Sequence, residues 1–487
     1  MMGLLNSFDI LIIICYLTGI TWIGSRYYKK DAGLKEYLQG SKVMKWFPVA
    51  LSIIAADTSA ISYLGVPAWS FRVDMKLSMG IVAYLLAIPI AIRVFLPVFA
   101  KGNLFTAYEY LEQRFSLRVR LVASIFFMIV RGTHVAVIIY APALVMAELM
   151  GVPLKASILA MGVLTTFYTT MGGIKAVIWT DTIQVITVLL GFSIITISVF
   201  SNIPGGASEF VSTGMAHAKF QLVDFSFHLN TIDNFWPLFI GGTLLFTQAL
   251  STDQSVMQKF FTTKSVKETR KSLLFYGLII IPMISLISLL GVALFVFYPT
   301  HPSMLSTLKN SDVVVAHYAA HMLPHGLTGL IVASIFAGSM STVSASINSL
   351  ATSSVVDIYK RLLRPDLSDL HYTKASRLAT LSWGLLTTLG ALFADRLGTL
   401  VLATVKIQSL MGGIILGIFL LGVTTKTATS TGVIVGASIG LPIVIAVSLF
   451  SPLSIYWYCV IGCMCTFAIG WLYSQAFSNS LAMSEES

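Results

Sequence analysis

The chain has 487 residues, of which 56% are hydrophobic and only 11% are charged, whereas soluble domains are about 25% charged. A soluble domain of this length needs far more polar residues to cover its surface, so most of the chain is predicted to lie in lipid. Soluble enzymes and nucleic-acid binders are thereby excluded, and the net charge of +10 is better explained by basic cytoplasmic loops than by an acidic partner.

Apolar stretches near the roughly 20 residues that a membrane-spanning helix needs recur along the chain. The first has no basic residue before it and no small-residue cleavage site, and we interpret it as a retained helix rather than a signal peptide. The predicted spans are 9–27, 46–68, 77–99, 120–148, 155–173, 176–200, 235–253, 272–298, 326–350, 377–395, 398–422, 429–449 and 454–475.

Basic residues are concentrated in the loops that follow alternate spans, and the positive-inside rule places those loops in the cytoplasm. They include Lys29, Lys30, Lys35, Lys42, Lys45, Arg114, Arg118, Arg120, Lys259, Lys264, Lys267, Arg270, Lys271, Lys360, Arg361 and Arg364. We therefore expect a multi-pass protein of the plasma membrane, of the bacterial inner-membrane type. Its N-terminus is predicted to lie outside and its C-terminus in the cytoplasm.

The second span is interrupted by polar residues, with Asp57, Thr58, Ser59 and Ser62 at its middle. A helix broken at mid-membrane leaves backbone carbonyls unpaired, and transporters use such carbonyls to coordinate Na⁺ or a solute. The alternative is a Ser- and Thr-rich helix that packs against a neighbour. Packing alone does not explain a carboxylate at membrane depth.

The sixth and seventh spans also carry polar groups. Asp181 lies near the start of the sixth span, where it either binds a cation or pairs with Lys175. The seventh span is predicted to be broken at Gly241 and Gly242 and holds Gln248 further along. The second and seventh spans are five apart, which is the spacing of a five-helix inverted repeat.

The ninth span carries a polar stripe. Ser341, Ser344 and Asn348 fall at i, i+3 and i+7, and Gly338 lies one turn earlier on the same face. Hydroxyl oxygens suit a hard cation such as Na⁺, by extension from Ca²⁺ and Mg²⁺. A contact between helices through small residues explains this span equally well.

Further polar candidates lie in the fourth and eleventh spans. Arg131 and His134 occupy the fourth, where His134 has the alternative of being a plain hydrogen-bonded residue. In the eleventh, Gln408 follows Lys406, which either reaches the membrane interface or serves as a counter-ion for Asp57 or for an anionic ligand. The sequence has no nucleotide-binding loop, His-Glu-x-x-His segment or nucleophile elbow and therefore does not predict an enzyme.

Several segments together resemble the solute:sodium symporter family, which includes bacterial proline, sialic-acid and sugar symporters. They are EYLQG at 36–40, TAYEYLEQRF at 106–115, YAP at 140–142, GGIKAVIWTDTIQ at 172–184, the hydroxyl-rich span that ends at Ser349, and DIY at 357–359. The segments follow one another in the family's order, so the resemblance is specific to the family, although it does not identify the solute.

The resemblance implies an all-α polytopic membrane protein with a LeuT-like core, a 5+5 inverted repeat within about 13 transmembrane helices. The implied parts are an extra N-terminal helix at 1–30, the first repeat at 45–200, the second repeat at 235–423, two C-terminal helices at 429–476 and a short cytoplasmic tail at 477–487.

The resemblance also implies a Na⁺ site between the second and ninth spans. Its ligands would be the carbonyl oxygens of Ala55, Thr58 and Gly338 and the hydroxyls of Ser341 and Thr342. Some members hold a second Na⁺, for which Asp181, Ser341 and Ser344 match. Ala345 stands where that second site has a hydroxyl.

The solute is less well defined. Asp57 occupies a position that is acidic in proline-type members, whereas the rest of the chain is closer to the sialic-acid group. In that group an arginine grips the carboxylate where this chain has His134, and Ile81 replaces a polar contact. The candidate solute-binding residues are Asp57, Ser59, Ser62, His134, Phe246, Gln248, Lys406 and Gln408.

We therefore predict a sodium-coupled secondary active symporter that imports a small polar organic solute by alternating access. The solute classes are a sugar, a sugar acid, a carboxylate or an amino-acid-like molecule, either an anion bound by His134 or Lys406 or a molecule whose ammonium group meets Asp57. The alternative is a solute channel or a membrane sensor with the same fold. The expected partners are Na⁺, the solute and the lipid bilayer, with no nucleic acid and no obligatory protein partner.

Overall fold

The computed structural model describes residues 5–29, 31–100, 102, 104–397 and 399–485. These residues are mostly helical, and their one β feature is an isolated bridge between Met44 and Thr263. Lys30, which belongs to the basic loop residues of the sequence analysis, lies outside the described residues.

The all-α prediction is confirmed. The helices are α1 Ser7–Ser25, α2 Leu34–Gln39, α3 Trp46–Asp57, α4 Ala60–Arg72, α5 Lys76–Phe99, α6 Tyr108–Arg114, α7 Leu117–Met150, α8 Leu154–Ser201, α9 Gly206–Ala216, α10 Pro237–Ser251, α11 Gln254–Phe260, α12 Val266–Phe297, α13 Pro302–Thr307, α14 Val314–Met322, α15 Leu327–Leu363, α16 Asp369–Ala391, α17 Leu400–Thr424, α18 Ser430–Phe450 and α19 Tyr456–Glu485. Helix α19 thus runs on into the segment that the sequence analysis assigns to a tail.

Within the described residues, nine helical segments are long and apolar enough to cross a membrane, and α3 with α4 forms a tenth, bent span. The remaining predicted spans correspond to α10, α16 and the first part of α8. The last two are less apolar because they carry many hydroxyls. Those of Thr165, Thr169 and Thr380 donate to the carbonyl four residues earlier, so these donors are satisfied inside the helix.

Helix α8 joins two predicted spans without a loop. The chain turns at Gly173, whose φ of +61° interrupts the helical backbone. A Cβ at this position would lie 2.7 Å from the carbonyl oxygen of Tyr37. Glycine is therefore required both by the left-handed backbone and by the close approach of α2.

The break predicted in the second span is confirmed. Helix α3 ends at Asp57, Thr58 has the non-helical angles φ −88° and ψ 78°, and Ser59 caps α4 by accepting a hydrogen bond from the backbone N–H of Ile61. The axes of α3 and α4 differ by 53°. A capping serine directly after a non-helical residue explains why the second half of the span starts as a new helix.

The break in the seventh span lies at Thr252 and Asp253, where Asp253 caps α11 by accepting from the N–H of Ser255 at 2.8 Å. The prediction that Gly241 and Gly242 break this span was wrong. Both are helical, and a Cβ on Gly241 would lie 2.5 Å from the carbonyl oxygen of Tyr456. These glycines therefore serve helix packing.

Candidate solute and sodium sites

Two hydroxyls on α15 face the broken end of α3. Ser341 Oγ lies 3.0 Å from the carbonyl oxygens of both Ala55 and Gly338, and Thr342 Oγ1 lies 3.1 Å from the same two atoms. All four residues are buried. The structure thus brings together four of the five predicted Na⁺ ligands as a compact set of oxygens.

The break in the helix supplies the carbonyls. The backbone N–H of Ser59 donates to the carbonyl of Asp57 rather than to that of Ala55, its partner in a continuous helix. The fifth predicted ligand, the carbonyl oxygen of Thr58, lies 3.5 Å from the position that a Cβ would take on Gly338. Glycine at 338 therefore allows α15 to approach the break, and the oxygen set suits a hard cation such as Na⁺.

The predicted second cation site already holds a basic side chain. Asp181 Oδ2 accepts a hydrogen bond from Ser52 Oγ at 2.6 Å and forms an ion pair with Lys259 Nζ at 3.0 Å. Lys259 also donates to the carbonyl of Ser52 at 2.5 Å. Ser344, the other predicted ligand, is buried and donates to the carbonyl of Ser341.

Two lysines near Asp181 have surroundings that the sequence does not indicate. Lys259 is not a loop residue, because its side chain is 1% exposed beside Asp181. Lys175 is the alternative partner predicted for Asp181, but its ammonium group lies 3.9 Å from Glu36 instead. Lys259 lies in α11, shortly after the predicted seventh span, and in the sequence it resembles the basic residues of the next loop.

A cavity of about 190 Å³ lies beside the break in α3 and α4. Its walls are largely apolar, with polar groups at a few points, as is usual for a site that binds a small molecule. The predicted residues that line it are Asp57, Thr58, Ser59, Ser62, His134, Phe246 and Gln408, together with Arg131.

Asp57 stands in an aromatic wall of this cavity. Its Oδ2 accepts hydrogen bonds from the hydroxyls of Tyr84 at 2.9 Å and Tyr276 at 2.7 Å. Tyr84 is stacked on Phe246 with ring centroids 3.9 Å apart. Neither tyrosine is among the predicted site residues, although a phenol in an apolar span needs a partner for its hydroxyl.

Nitrogen-bearing side chains lie at another part of the cavity. Arg131 forms an ion pair with Asp253, the cap of α11, and its Nη1 lies 3.2 Å from His134 Nδ1. His134 Nε2 lies 3.3 Å from Gln408 Nε2. The Nε of Arg131 is buried and has no hydrogen-bond partner among the described residues, so a donor remains for an anionic group.

Two predicted solute contacts lie away from the cavity. Gln248 is buried on α10, where its Oε1 lies 3.1 Å from the position of a Cβ on Gly412 and its Nε2 donates to Thr252. Lys406 is exposed on α17 and does not line the cavity. Among the described residues there is also no cluster of three His, Cys, Asp or Glu side chains that could hold a metal ion.

The sequence of the chain is similar to those of known sodium-coupled transporters. The sequence profile of the Sodium:solute symporter family matches residues 37–440. The chain is 30% identical to the sodium/sialic acid symporter SiaT of Proteus mirabilis, over 96% of this chain and 95% of that one. It is 32% identical to the sodium-coupled monocarboxylate transporter 2 of Danio rerio, over 90% of this chain and 71% of that one.

The fold also matches solved structures. The chain superposes on a substrate-bound, outward-open Na⁺-coupled sialic acid symporter with a TM-score of 0.90 at 30% identity, covering 97% of this chain and 98% of the other. Mhp1, a nucleobase-cation-symport-1 family transporter, matches with a TM-score of 0.59 at 11% identity over 91% of this chain and 94% of the other. At that identity the second match shows the fold alone.

Proposed function

The chain belongs to the sodium:solute symporter family, and from this premise we propose that its solute is a small zwitterion with an ammonium group and a carboxylate. The chain is a multi-pass membrane transporter that couples a small organic solute to Na⁺, and it is not an enzyme. Which solute it carries and which residues bind it are the subject of the proposal.

Asp57 carries the proposal. Its carboxylate lines the cavity between Tyr84 and Tyr276, and no basic side chain pairs with it among the described residues. An ammonium group there would meet a carboxylate and the faces of electron-rich rings, which favour a cation. A carboxylate at membrane depth calls for a partner, and a cationic solute would provide one.

The opposite end of the solute is proposed to meet Arg131, His134 and Gln408. Arg131 shares its charge with Asp253, so this end offers hydrogen-bond donors more than a free positive charge. The names of the relatives support a carboxylate at this end, since sialic acid and monocarboxylates are both carboxylates. Ser59 and Ser62, which line the same cavity, would contact the middle of the solute.

For the ion, we propose one Na⁺ site formed by the oxygens of Ala55, Thr58, Gly338, Ser341 and Thr342. Its support is the short distance between the hydroxyls and the carbonyls. A second Na⁺ at Asp181 and Ser344 remains a prediction. At that position the ammonium group of Lys259 already lies against the carboxylate.

Import would proceed by alternating access, with Na⁺ and solute each favouring the same state. A membrane potential of 100 mV supplies about 2.3 kcal/mol per charge, so one Na⁺ accounts for more than a tenfold accumulation before its own gradient is counted. The repeats are proposed at 45–200 and 235–423, flanked by the helix at 1–30 and the segments 429–476 and 477–487. The basic loops and the C-terminus would lie in the cytoplasm and the N-terminus outside, a topology that labelling of engineered cysteines from either side would test.

Uptake of a solute panel into proteoliposomes tests the proposal. We expect Na⁺-driven accumulation of an amino acid, collapsing with a sodium ionophore, and a weaker response to monocarboxylates and sialic acid.

Asp57→Asn should reduce amino-acid uptake by roughly thirtyfold or more, since removing one partner of a buried charge pair costs about 2–5 kcal/mol. Asp366→Asn, in an exposed loop, is the matched control. Uptake of carboxylates that lack an ammonium group, unchanged by Asp57→Asn, would contradict the proposal.

A further inference from the structure

A second cavity, of about 160 Å³, is lined by residues other than those of the solute cavity. Its lining includes Lys42, Phe99, Phe260, Lys264, Val266 and Thr269, and we call it the interfacial cavity. The lining comes from the turn before α3 and from α5, α11 and the start of α12. Helices α3 and α11 belong to the two broken spans, and α5 and α12 are the next helices along the chain.

The backbone holds its two lysines in fixed positions. The N–H of Met44 donates to the carbonyl of Thr262 at 3.1 Å, and the N–H of Lys264 donates to the carbonyl of Met44 at 3.3 Å. The turn before Met44 contains two non-glycine residues with left-handed backbones, Ser41 at φ +61° and Lys42 at φ +55°. Such conformations are costly and persist only where the surrounding structure requires them.

The chemistry of the lining suits an anion. Lys42 and Lys264 contribute positive charge, and the first residues of α12, from Val266 onward, direct the positive end of a long helix towards the cavity. The pKa of Lys42 is lowered by burial and by the nearby charge of Lys35. An anion beside it would favour the charged form of the side chain.

The depth of the cavity indicates where that anion comes from. Trp46 packs edge-on against Phe47 and Phe275, with ring centroids 5.4 Å and 5.5 Å away, and Phe47 is 45% exposed. Exposed aromatic clusters beside lysines mark the interface between membrane and water. Lys42 lies only four residues before this cluster, which predicts that the cavity is at the level of the lipid headgroups.

We propose that the interfacial cavity binds the phosphate of an anionic phospholipid. The phosphate would lie between Lys42 and Lys264, and the apolar side chains of Phe99 and Phe260 would border the start of the lipid's hydrophobic part. A water molecule occupies about 30 Å³ of liquid, so the cavity has room for a phosphodiester. Basic pockets between transmembrane helices are known to hold such headgroups.

Binding would affect transport because all four walls belong to the broken spans and their neighbours. A lipid in the cavity would tie these helices together as one body. We expect that body to move as a unit when the solute site changes its access.

The test uses the purified full chain in detergent, titrated with short-chain phosphatidylglycerol, short-chain phosphatidylcholine or inorganic phosphate, with the melting temperature as readout. We expect phosphatidylglycerol to stabilise the protein more than phosphatidylcholine does. Lysines near an anionic lipid contribute about a factor of five each. Lys42→Gln with Lys264→Gln should therefore raise the half-saturating concentration roughly thirtyfold.

Lys267→Gln with Arg270→Gln removes the same charge from exposed positions of α12 outside the lining and should leave the titration unchanged. Lys264→Gln alone, at an exposed residue, keeps the test valid should the double variant misfold, and it should weaken binding about fivefold. Equal stabilisation by inorganic phosphate with the same lysine dependence would overturn lipid as the source. Equal responses of the wild type and the Lys42, Lys264 double variant would overturn the site itself.

Discussion

The hydroxyls of Ser341 and Thr342 are close enough to two backbone carbonyls to share one cation with them. Removing either hydroxyl takes away one uncharged ligand and leaves the helix intact. We expect Ser341→Ala and Thr342→Ala each to raise the Na⁺ concentration for half-maximal uptake by about tenfold, as the loss of one polar contact of about 1.4 kcal/mol would do.

Two further variants separate this effect from a change in packing. Thr342→Ser keeps the oxygen and should retain the wild-type Na⁺ dependence. As a control, Ser349→Ala removes a buried hydroxyl of the same helix whose one hydrogen bond within the described part of the chain goes to the carbonyl of Ser346. An unaltered Na⁺ dependence in both alanine variants at 341 and 342 would remove these hydroxyls from the ion site.

The buried pair of Asp181 and Lys259 gives a second prediction for single residues. Lys259→Met leaves the carboxylate buried without its cation, which typically costs about 3–5 kcal/mol. We therefore expect a large fall in the melting temperature of the purified protein. Combining it with Asp181→Asn removes the uncompensated charge and should recover most of the loss.

The same variant examines the second Na⁺. If Asp181 binds a cation when Lys259 is absent, high Na⁺ should stabilise Lys259→Met more than it stabilises the double variant. A Lys259→Met protein as stable as the wild type, in low Na⁺, would show that the pair contributes little to the fold.

Residue types at membrane depth predicted part of the site and missed part of it. Asp57 was found because a lone carboxylate in an apolar span requires an explanation. Tyr84 and Tyr276 were not, because a tyrosine in an apolar span resembles any core aromatic. Their shared partner lies 27 and 219 residues away in the chain, a distance over which no local pattern carries information.

At the scale of helices, close packing depends on glycines. A Cβ on Gly413 of α17 would lie 2.1 Å from the carbonyl oxygen of Cys459 in α19. Gly413→Ala should therefore force α17 and α19 apart and lower the stability by about 1–3 kcal/mol, as overpacking does. The melting temperature of the purified protein measures this.

Gly19 provides the matched control, since it lies inside α1 with nothing within 4 Å of its Cβ position. Gly19→Ala should be neutral or stabilising by up to about 1 kcal/mol, because alanine is the better helix former. Similar losses in both variants would mean that contact between α17 and α19 is not what limits stability.

One helix break was predicted correctly from polar residues, and the other was misplaced because of glycines. The break after Asp57 coincides with a run of polar residues, and such a run is unusual inside a continuous apolar helix. In the seventh span, Gly241 and Gly242 resemble helix breakers, yet Gly241 allows Tyr456 to approach and Gly242 lies against Ala83. Sequence alone does not distinguish a glycine that ends a helix from one that admits a neighbour.

Charged residues are scarce in this molecule, and several of the buried ones form ion pairs between distant parts of the chain. Three such pairs each join a residue of the proposed first repeat to a residue of the proposed second repeat. They are Arg131 with Asp253, Lys259 with Asp181 and Arg120 with Asp357. The buried charges therefore connect the two halves of the core, and Arg120, predicted in a cytoplasmic loop, lies buried in α7.

The segment between α12 and α15 covers the end of α4, and it contains a buried histidine. Arg72 at the end of α4 lies 3.4 Å from Asp312 of this segment. His317 in α14 is 1% exposed, with Nδ1 2.7 Å from the hydroxyl of Tyr298 and Nε2 3.1 Å from that of Thr307. Burial and the nearby His321 lower the pKa of His317 from 6.5 to about 4.

Because the pKa of His317 is lowered in the folded protein, the free energy of unfolding depends on pH. Between pH 6.5 and about pH 4 the unfolded chain binds a proton at His317 and the folded chain does not, so the free energy of unfolding falls as the pH falls through that range. We expect the melting temperature of the wild type to decrease on acidification. His317→Gln, which does not titrate, should show a shallower decrease. His228→Gln, at an exposed loop residue, is the control and should follow the wild type. A pH profile of His317→Gln that also matches the wild type would rule out His317 as the cause.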